Sequence, residues 1–266
     1  MRCRTAVFLV CVFVFSFSSM AQQPVQVDGR VRALLEQANA ALAGTTIIND
    51  VALAGTARRT AGAEDEMGAT TLKALVTGEA RIDSTFPSGQ YSEVRTNSKS
   101  GPVGHTIDPA GNVHEIPFHN LLTDSTWFFP ALMLRKMSSS QPLVWQYIGT
   151  ETRDDRLVEH VVATEQFTGS SLPDHALRLL EHSSRVEIYF DSSTFLPYAV
   201  TFNAHPDNDV RRDIPTEIRF SDYRVVNGVK VPFKILKFLN NGVVLDVQLE
   251  TVVLNTGLSA TAFTTD

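Results

Sequence analysis

Three runs of alternating apolar residues near the C-terminus constrain this chain more than any other feature. Ile218 and Phe220 alternate with polar neighbours, then Val229, Val231, Phe233 and Ile235, then Val243, Leu245, Val247, Leu249 and Val253. Successive side chains of a strand point to opposite faces, so each run presents one apolar and one polar face. Asn227-Gly228 separates the first two runs and is a favoured type I′ hairpin turn, in which both residues take positive φ. Asn240-Asn241-Gly242 separates the second and third, and predicts a three-residue loop with Gly242 in the left-handed position. The result is an antiparallel meander, with Lys230, Lys234, Asp246, Gln248 and Glu250 on its wetted face. A sheet with one wet face has to cover the other.

The covering material lies upstream. Val31, Leu34, Leu35, Ala38, Ala41 and Leu42 recur at spacings of three and four, marking one face of a helix that Gly44 ends. Residues 119–140 hold Leu121, Leu122, Trp127, Phe128, Phe129, Leu132, Met133 and Met137 around Pro130. Proline lacks an N–H and clashes with the preceding turn, so this segment predicts two short helical pieces broken near Phe129. A third short helix is predicted over 172–182, opening after Ser171 with Pro173 in its first turn.

The remainder reads as β. A strand begins near Val51, 61–69 is a polar loop, and 71–86 resumes strand sequence before the Pro87-Ser88-Gly89 turn. Short strands are expected at 91–97, 103–107 and 113–116. A hairpin with arms 144–149 and 157–167 follows, flanking polar 150–156. Val186, Ile188 and Phe190 then alternate before a turn at 191–197 and a strand at 198–203. The fold class expected is α+β: a single curved antiparallel sheet with helices packed on its concave face, in one domain spanning 22–266 without internal repeats.

The first residues read differently. Arg2 and Arg4 precede an apolar run from Ala6 to Phe17, and Ser19 and Ala21 supply a small-x-small exit. This describes a secretory signal peptide over 1–21, cleaved after Ala21. Its apolar core falls short of the ~20 residues of a spanning helix. Cys11 follows bulky Val10 inside that core, which argues against lipidation. Cleavage removes both cysteines, Cys3 and Cys11, and two arginines but no acidic residue, so the net charge falls from −6 to −8. The mature chain then has no thiol chemistry, no disulfide and no later apolar span. An exported location, periplasmic or secreted, follows. A nucleic-acid partner is excluded, because the basic footprint that releases counterions from phosphates is absent.

Asp191-Ser-Ser-Thr-Phe-Leu-Pro197, followed by Phe220-Ser-Asp-Tyr-Arg-Val-Val-Asn-Gly-Val-Lys-Val-Pro232, resembles the bacterial outer-membrane lipoprotein-carrier and lipoprotein-sorting superfamily (LolA/LolB-like). The shared features are an acidic turn ending in Leu-Pro between two strands, then a strand, an Asn-Gly turn and a strand carrying Val-Pro. They cover roughly residues 143–255, by pattern rather than identity. The resemblance implies an incomplete β-barrel with helices in its mouth that holds acyl chains.

Enzymatic signatures are missing. His114-Glu115-Ile-Pro-Phe-His119 is one residue too long for HExxH, and Pro117 opposes the helix that motif needs. His160, His175, His182 and His205 are scattered among polar neighbours, as exposed histidines are. Asp207-Asn208-Asp209 and Asp213 lack the stepped ligands of a calcium loop and read as a solvated turn. There is no Gly-x-Ser-x-Gly and no phosphate-cradling glycine loop. No metal and no cofactor is expected.

The segment that invites a function is 119–137. Leu121, Leu122, Trp127, Phe128, Phe129, Leu132, Met133 and Met137 concentrate large, adaptable apolar surface, and methionine tolerates varied partners. Such a face is core when it packs against the sheet and a binding surface when it lines a cavity. The function expected is an exported, non-enzymatic protein that shelters a hydrophobic ligand, a lipid or a lipoprotein acyl chain. Transient contact with an envelope protein or a membrane surface goes with that role. The rivals are a structural or interaction module with a filled core, and an exported hydrolase with an unrecognised site.

Overall fold

The computed structural model describes residues 28–264, except 100, 124, 140–142, 168 and 169. The signal peptide read over 1–21 therefore lies outside the described residues.

Helix α1 (Gly29–Ala43) leads into β1 (Asp50–Ala61), β2 (Glu64–Leu75), β3 (Ala80–Phe86), β4 (Gly89–Ser98), β5 (Gly101–Ile107) and β6 (Val113–Glu115). A crossover follows, built from the 3-10 turn Phe118–Asn120 and helix α2 (Pro130–Ser139). The second half comprises β7 (Leu143–Arg153), β8 (Arg156–Glu165), α3 (Asp174–Ser184), β9 (Val186–Asp191), β10 (Pro197–Ala204), β11 (Ile214–Val226), β12 (Val229–Leu239) and β13 (Gly242–Leu254). All thirteen strands form one open antiparallel sheet in the order β6-β5-β4-β3-β2-β1-β13-β12-β11-β10-β9-β8-β7.

This order has a specific geometry. The first and last strands pair at the centre of the sheet, and β6 and β7, consecutive in the chain, are its two edges. The crossover thus runs from one edge to the other across the concave side. The sheet curls strongly enough that Lys237 of β12 and Glu93 of β4, five strands apart, interact electrostatically across the trough.

Both interior helices follow from their sequences. Asp28 caps α1 by accepting from the Arg30 amide (2.9 Å), and Val31, Leu34, Leu35, Ala38 and Leu42 are buried. Gly44 ends that helix at positive φ. Pro130 occupies the first position of α2, where a missing N–H costs nothing, so the chain breaks at Phe129 as expected. The piece before the break is a 3-10 turn and a further turn at 125–128 rather than a helix. Leu132, Met133, Leu134 and Met137 join Val51, Leu72, Val161, Ile188, Ile235 and Val247 in one hydrophobic cluster. These strand residues share the concave face by register.

Three local expectations need correction. Residues 61–69 are not a loop: β1 and β2 pair in register from Asp50↔Leu75 to Ala61↔Glu64, leaving a two-residue turn. Arg58 and Arg59 bond Asp65 and Glu64 across this hairpin, so its polarity reflects two solvated arms. The 150–156 stretch is likewise strand up to Arg153, turning only at Asp154 and Asp155. At the last hairpin both Asn240 (φ 48°) and Asn241 (φ 65°) take the left-handed conformation, and Gly242 pairs with Leu239 inside the ladder. Asparagine tolerates positive φ, which makes this a two-residue turn.

The central seam depends on Gly55, where the β1–β13 register shifts. A Cβ there would overlap the Gln248 carbonyl oxygen and stand 2.8 Å from Leu249 Cα, both backbone atoms of the paired strand. Gly55→Ala is expected to cost about 1–3 kcal/mol, the range for forced overpacking. Urea unfolding measures this, and a cost near zero would mean that the seam is looser than its register implies.

Candidate ligand-binding cleft

The concave side is mostly filled, and two clefts remain along it. A cleft of about 480 Å³ opens between the β4–β5 end of the sheet and the β7–β9 end, with the crossover forming one wall. Phe118, Leu121 and Leu122 come from the 3-10 turn and the residues after it, and Met137 from α2. Leu143, Ala163 and Val186 contribute from β7, β8 and β9, with Phe167 beyond β8. Thr77, Asn97, Lys136, Glu165 and Ser184 add polar groups. Burial pushes the Glu165 carboxyl above its ordinary value, and the nearby Lys136 charge partly offsets this. The wall is fastened: Asn97 Nδ2 donates to Thr77 O (2.7 Å), and Arg95 Nη1 donates to Asn120 O (3.3 Å).

The eight residues expected to form the site divide into three groups. Leu121, Leu122 and Met137 line this cleft. Trp127 lines a separate cleft of about 290 Å³ with Arg59, Ile82, Tyr91, Glu93 and Lys237. Phe128, Phe129, Leu132 and Met133 are at most 1% exposed and lie inside the packed cluster, away from both spaces. Phe118, Leu143, Ala163 and Phe167 are wall residues that sequence reasoning missed. No periodicity marks them, because they meet only through the edge-to-edge crossover.

The second cleft is charged. Lys237 Nζ sits 5.0 Å over the Trp127 ring. Burial lowers the Lys237 ammonium from its ordinary value despite the Glu93 charge. Burial would raise Glu93, but Arg95 (2.7 Å) and Lys237 hold it lowered. On the convex face, His160 stacks on Tyr189 (4.3 Å) and reaches Glu187 (3.1 Å). Burial and the Glu187 carboxylate push the Tyr189 phenol up to about 12.

The histidines depart from expectation. His160 and His205 are not exposed: they retain 8% and 3% of their accessible surface. The stacked Tyr189 ring covers His160, and His205 is enclosed where the chain leaves β10. His114 stays exposed on β6 beside Asp108 (3.4 Å), while His119 reaches Pro206 O (3.3 Å). His182, at the end of α3, meets His205 and Asp213 beside the 3-10 turn.

An open antiparallel half-barrel whose mouth is crossed by a helical connection defines a recognisable class. A LolA-superfamily protein from Nitrosomonas europaea matches with a TM-score of 0.54 at 13% identity, over 88% of this chain and 96% of its own. A domain named for outer-membrane lipoprotein sorting, from Vibrio parahaemolyticus, matches at 0.52 and 10% identity, over 87% and 94%. A DUF1329-family protein from Desulfovibrio piger matches at 0.53 and 13% identity, over 91% and 98%. No family model and no curated protein matches the sequence. The fold is LolA-like, at 10–13% identity to these structures. Among the described residues, no helix is long and apolar enough to cross a membrane.

Proposed function

We propose that this protein is an exported, non-enzymatic binding protein that shelters an apolar chain, from a lipid or a lipoprotein, at the mouth of its half-barrel. The observation that carries this reading is the cleft between the two sheet edges. Its volume of about 480 Å³ falls within the ~300–1,000 Å³ of small-molecule pockets, and its walls are largely apolar. Lys136 and Glu165 offer a polar end for a headgroup. The LolA-like fold supports the reading, since one protein that shares it is named for lipoprotein sorting. Delivery requires contact with an envelope protein or membrane surface, and Phe118, 48% exposed on the cleft wall, suits that contact.

Burial of each methylene contributes ~0.8 kcal/mol, so two more carbons should tighten binding roughly tenfold until the cleft is full. Saturated fatty acids of increasing length, titrated against a displaceable fluorescent fatty acid, measure this. Leu122→Trp, which fills the cleft from a half-buried position, is expected to weaken every member of the series at least tenfold while leaving the melting temperature within a few degrees. A series without length dependence, or one unmoved by Leu122→Trp, would reject the cleft as the site and favour an interaction module with a filled core.

A further inference from the structure

We propose that His182, His205 and Asp213 form a divalent transition-metal site, zinc by the chemistry of its donors, that ties α3 to the β10–β11 connection beside the cleft. The three residues come from the end of α3 and from the two ends of the β10–β11 connection, and their donor atoms fall within 4.8 Å of one another. His182 Nε2 stands 2.8 Å from Asp213 Oδ1, and His205 Nε2 stands 3.2 Å from the same oxygen. Ligand atoms about 2.1 Å from a tetrahedral ion stand about 3.4 Å apart, so the two His–Asp distances need to open only slightly to admit one.

A second observation points to a ligand. The His205 side chain is fully buried, and neither ring nitrogen has a hydrogen-bond partner. The Asp213 oxygen, 3.2 Å from Nε2, is an ion-pair contact only when the imidazole is protonated. Buried polar groups are nearly always satisfied. A cation coordinated by Nε2 would satisfy that nitrogen while holding the carboxylate and the second imidazole.

The frame around His205 is fixed. Asn120 Nδ2 donates to His205 O (2.8 Å), and the His205 amide donates to Asn120 Oδ1 (2.9 Å), locking the end of β10 to the 3-10 turn. The His119 ring is edge-on to His205 at 5.7 Å with its Nε2 on Pro206 O (3.3 Å), so water supplies the fourth ligand. His182 and Asp213 are 44% and 40% exposed, which leaves an entry path. Two imidazoles and one carboxylate suit zinc and its transition-metal neighbours, whereas calcium and magnesium prefer oxygen alone.

The test uses untagged mature protein, residues 22–266, which carries neither Cys3 nor Cys11, freed of metal by a chelator and titrated calorimetrically with Zn²⁺. One ion per chain is expected, with Co²⁺ giving the visible absorption band of a tetrahedral site and Mg²⁺ giving no binding. His182→Ala and Asp213→Asn should each weaken Zn²⁺ binding at least as much as loss of an outer-shell partner does, roughly 10–100-fold. His114→Ala, on β6, should leave it unchanged. Absence of stoichiometric binding by the wild-type protein overturns the proposal, as does binding that survives His182→Ala and Asp213→Asn combined. If either variant unfolds, the wild-type stoichiometry and Co²⁺ band decide. No lipid enters these measurements, so this site and the cleft stand or fall separately.

Discussion

Phe128→Ala is expected to lower the stability of the protein by about 3–5 kcal/mol, the range for removing a fully buried aromatic ring. Phe128 has no exposed surface, and its ring lies 5.7 Å from Trp127 in an edge-on pair. The backbone around it cannot easily collapse into the gap. Phe129 N bonds Thr126 O (2.8 Å), and Pro130 opens α2 immediately afterwards. At roughly 2–4 °C per kcal/mol for a domain of this size, the melting temperature should fall by about 6–20 °C. Leu122→Ala, on the half-buried cleft wall, should cost far less. A loss below about 1 kcal/mol for Phe128→Ala would mean that the centre of the trough is loosely packed and that the ligand space extends inward from its mouth.

Asp191→Ala carries the next largest effect, about 1.5–3 kcal/mol, the range for losing hydrogen bonds to a charged group. One carboxylate oxygen accepts from the amides of Ser193 (3.0 Å) and Thr194 (2.8 Å) and from both their hydroxyls (2.6 and 2.9 Å). The other accepts from Arg156 (2.6 Å). The residue is 6% exposed and holds the turn that sends β9 into β10. Burial alone would raise this carboxyl, but these donors outweigh it and hold the group well below the usual value of 3.8. A depressed carboxylate contributes its full stability above the unfolded-chain value, and loses it as pH falls through the folded-state value. The wild-type advantage over Asp191→Ala should therefore be constant near neutrality and shrink as pH drops below about 4. An advantage that is unchanged in acid would mean that the negative charge is not what holds the turn.

The same Asp191 turn was legible in the sequence because its chemistry is local. So were α1, from its spacing, and the Asn227-Gly228 hairpin, where two residues decide the backbone. The Asn240-Asn241 turn is one residue shorter than its sequence suggests, because asparagine serves where glycine is expected. What sequence could not supply was adjacency across long separations. That β1 pairs with β13 follows from alternation on every strand being satisfied together, and no single strand announces it. The cleft walls were half legible for the same reason. Leu121, Leu122 and Met137 lie in one apolar segment, whereas Leu143, Ala163 and Phe167 reach them only when the edges meet. The division of 119–137 into core and wall is set by which turn of the crossover lies deeper, which composition does not encode. His205 looked ordinary because polar neighbours in sequence are not neighbours in space.

The central pairing of β1 with β13 also bears on how such a chain is made. These strands are roughly 200 residues apart, and closing a loop of that length carries a large entropic cost before any contact rewards it. The two flanking meanders can form from neighbouring segments, but nothing joins them along the midline until the last strand is available. A polypeptide emerging N-terminus first thus stays unzipped through most of its synthesis. The central seam is therefore the last part of the sheet to close.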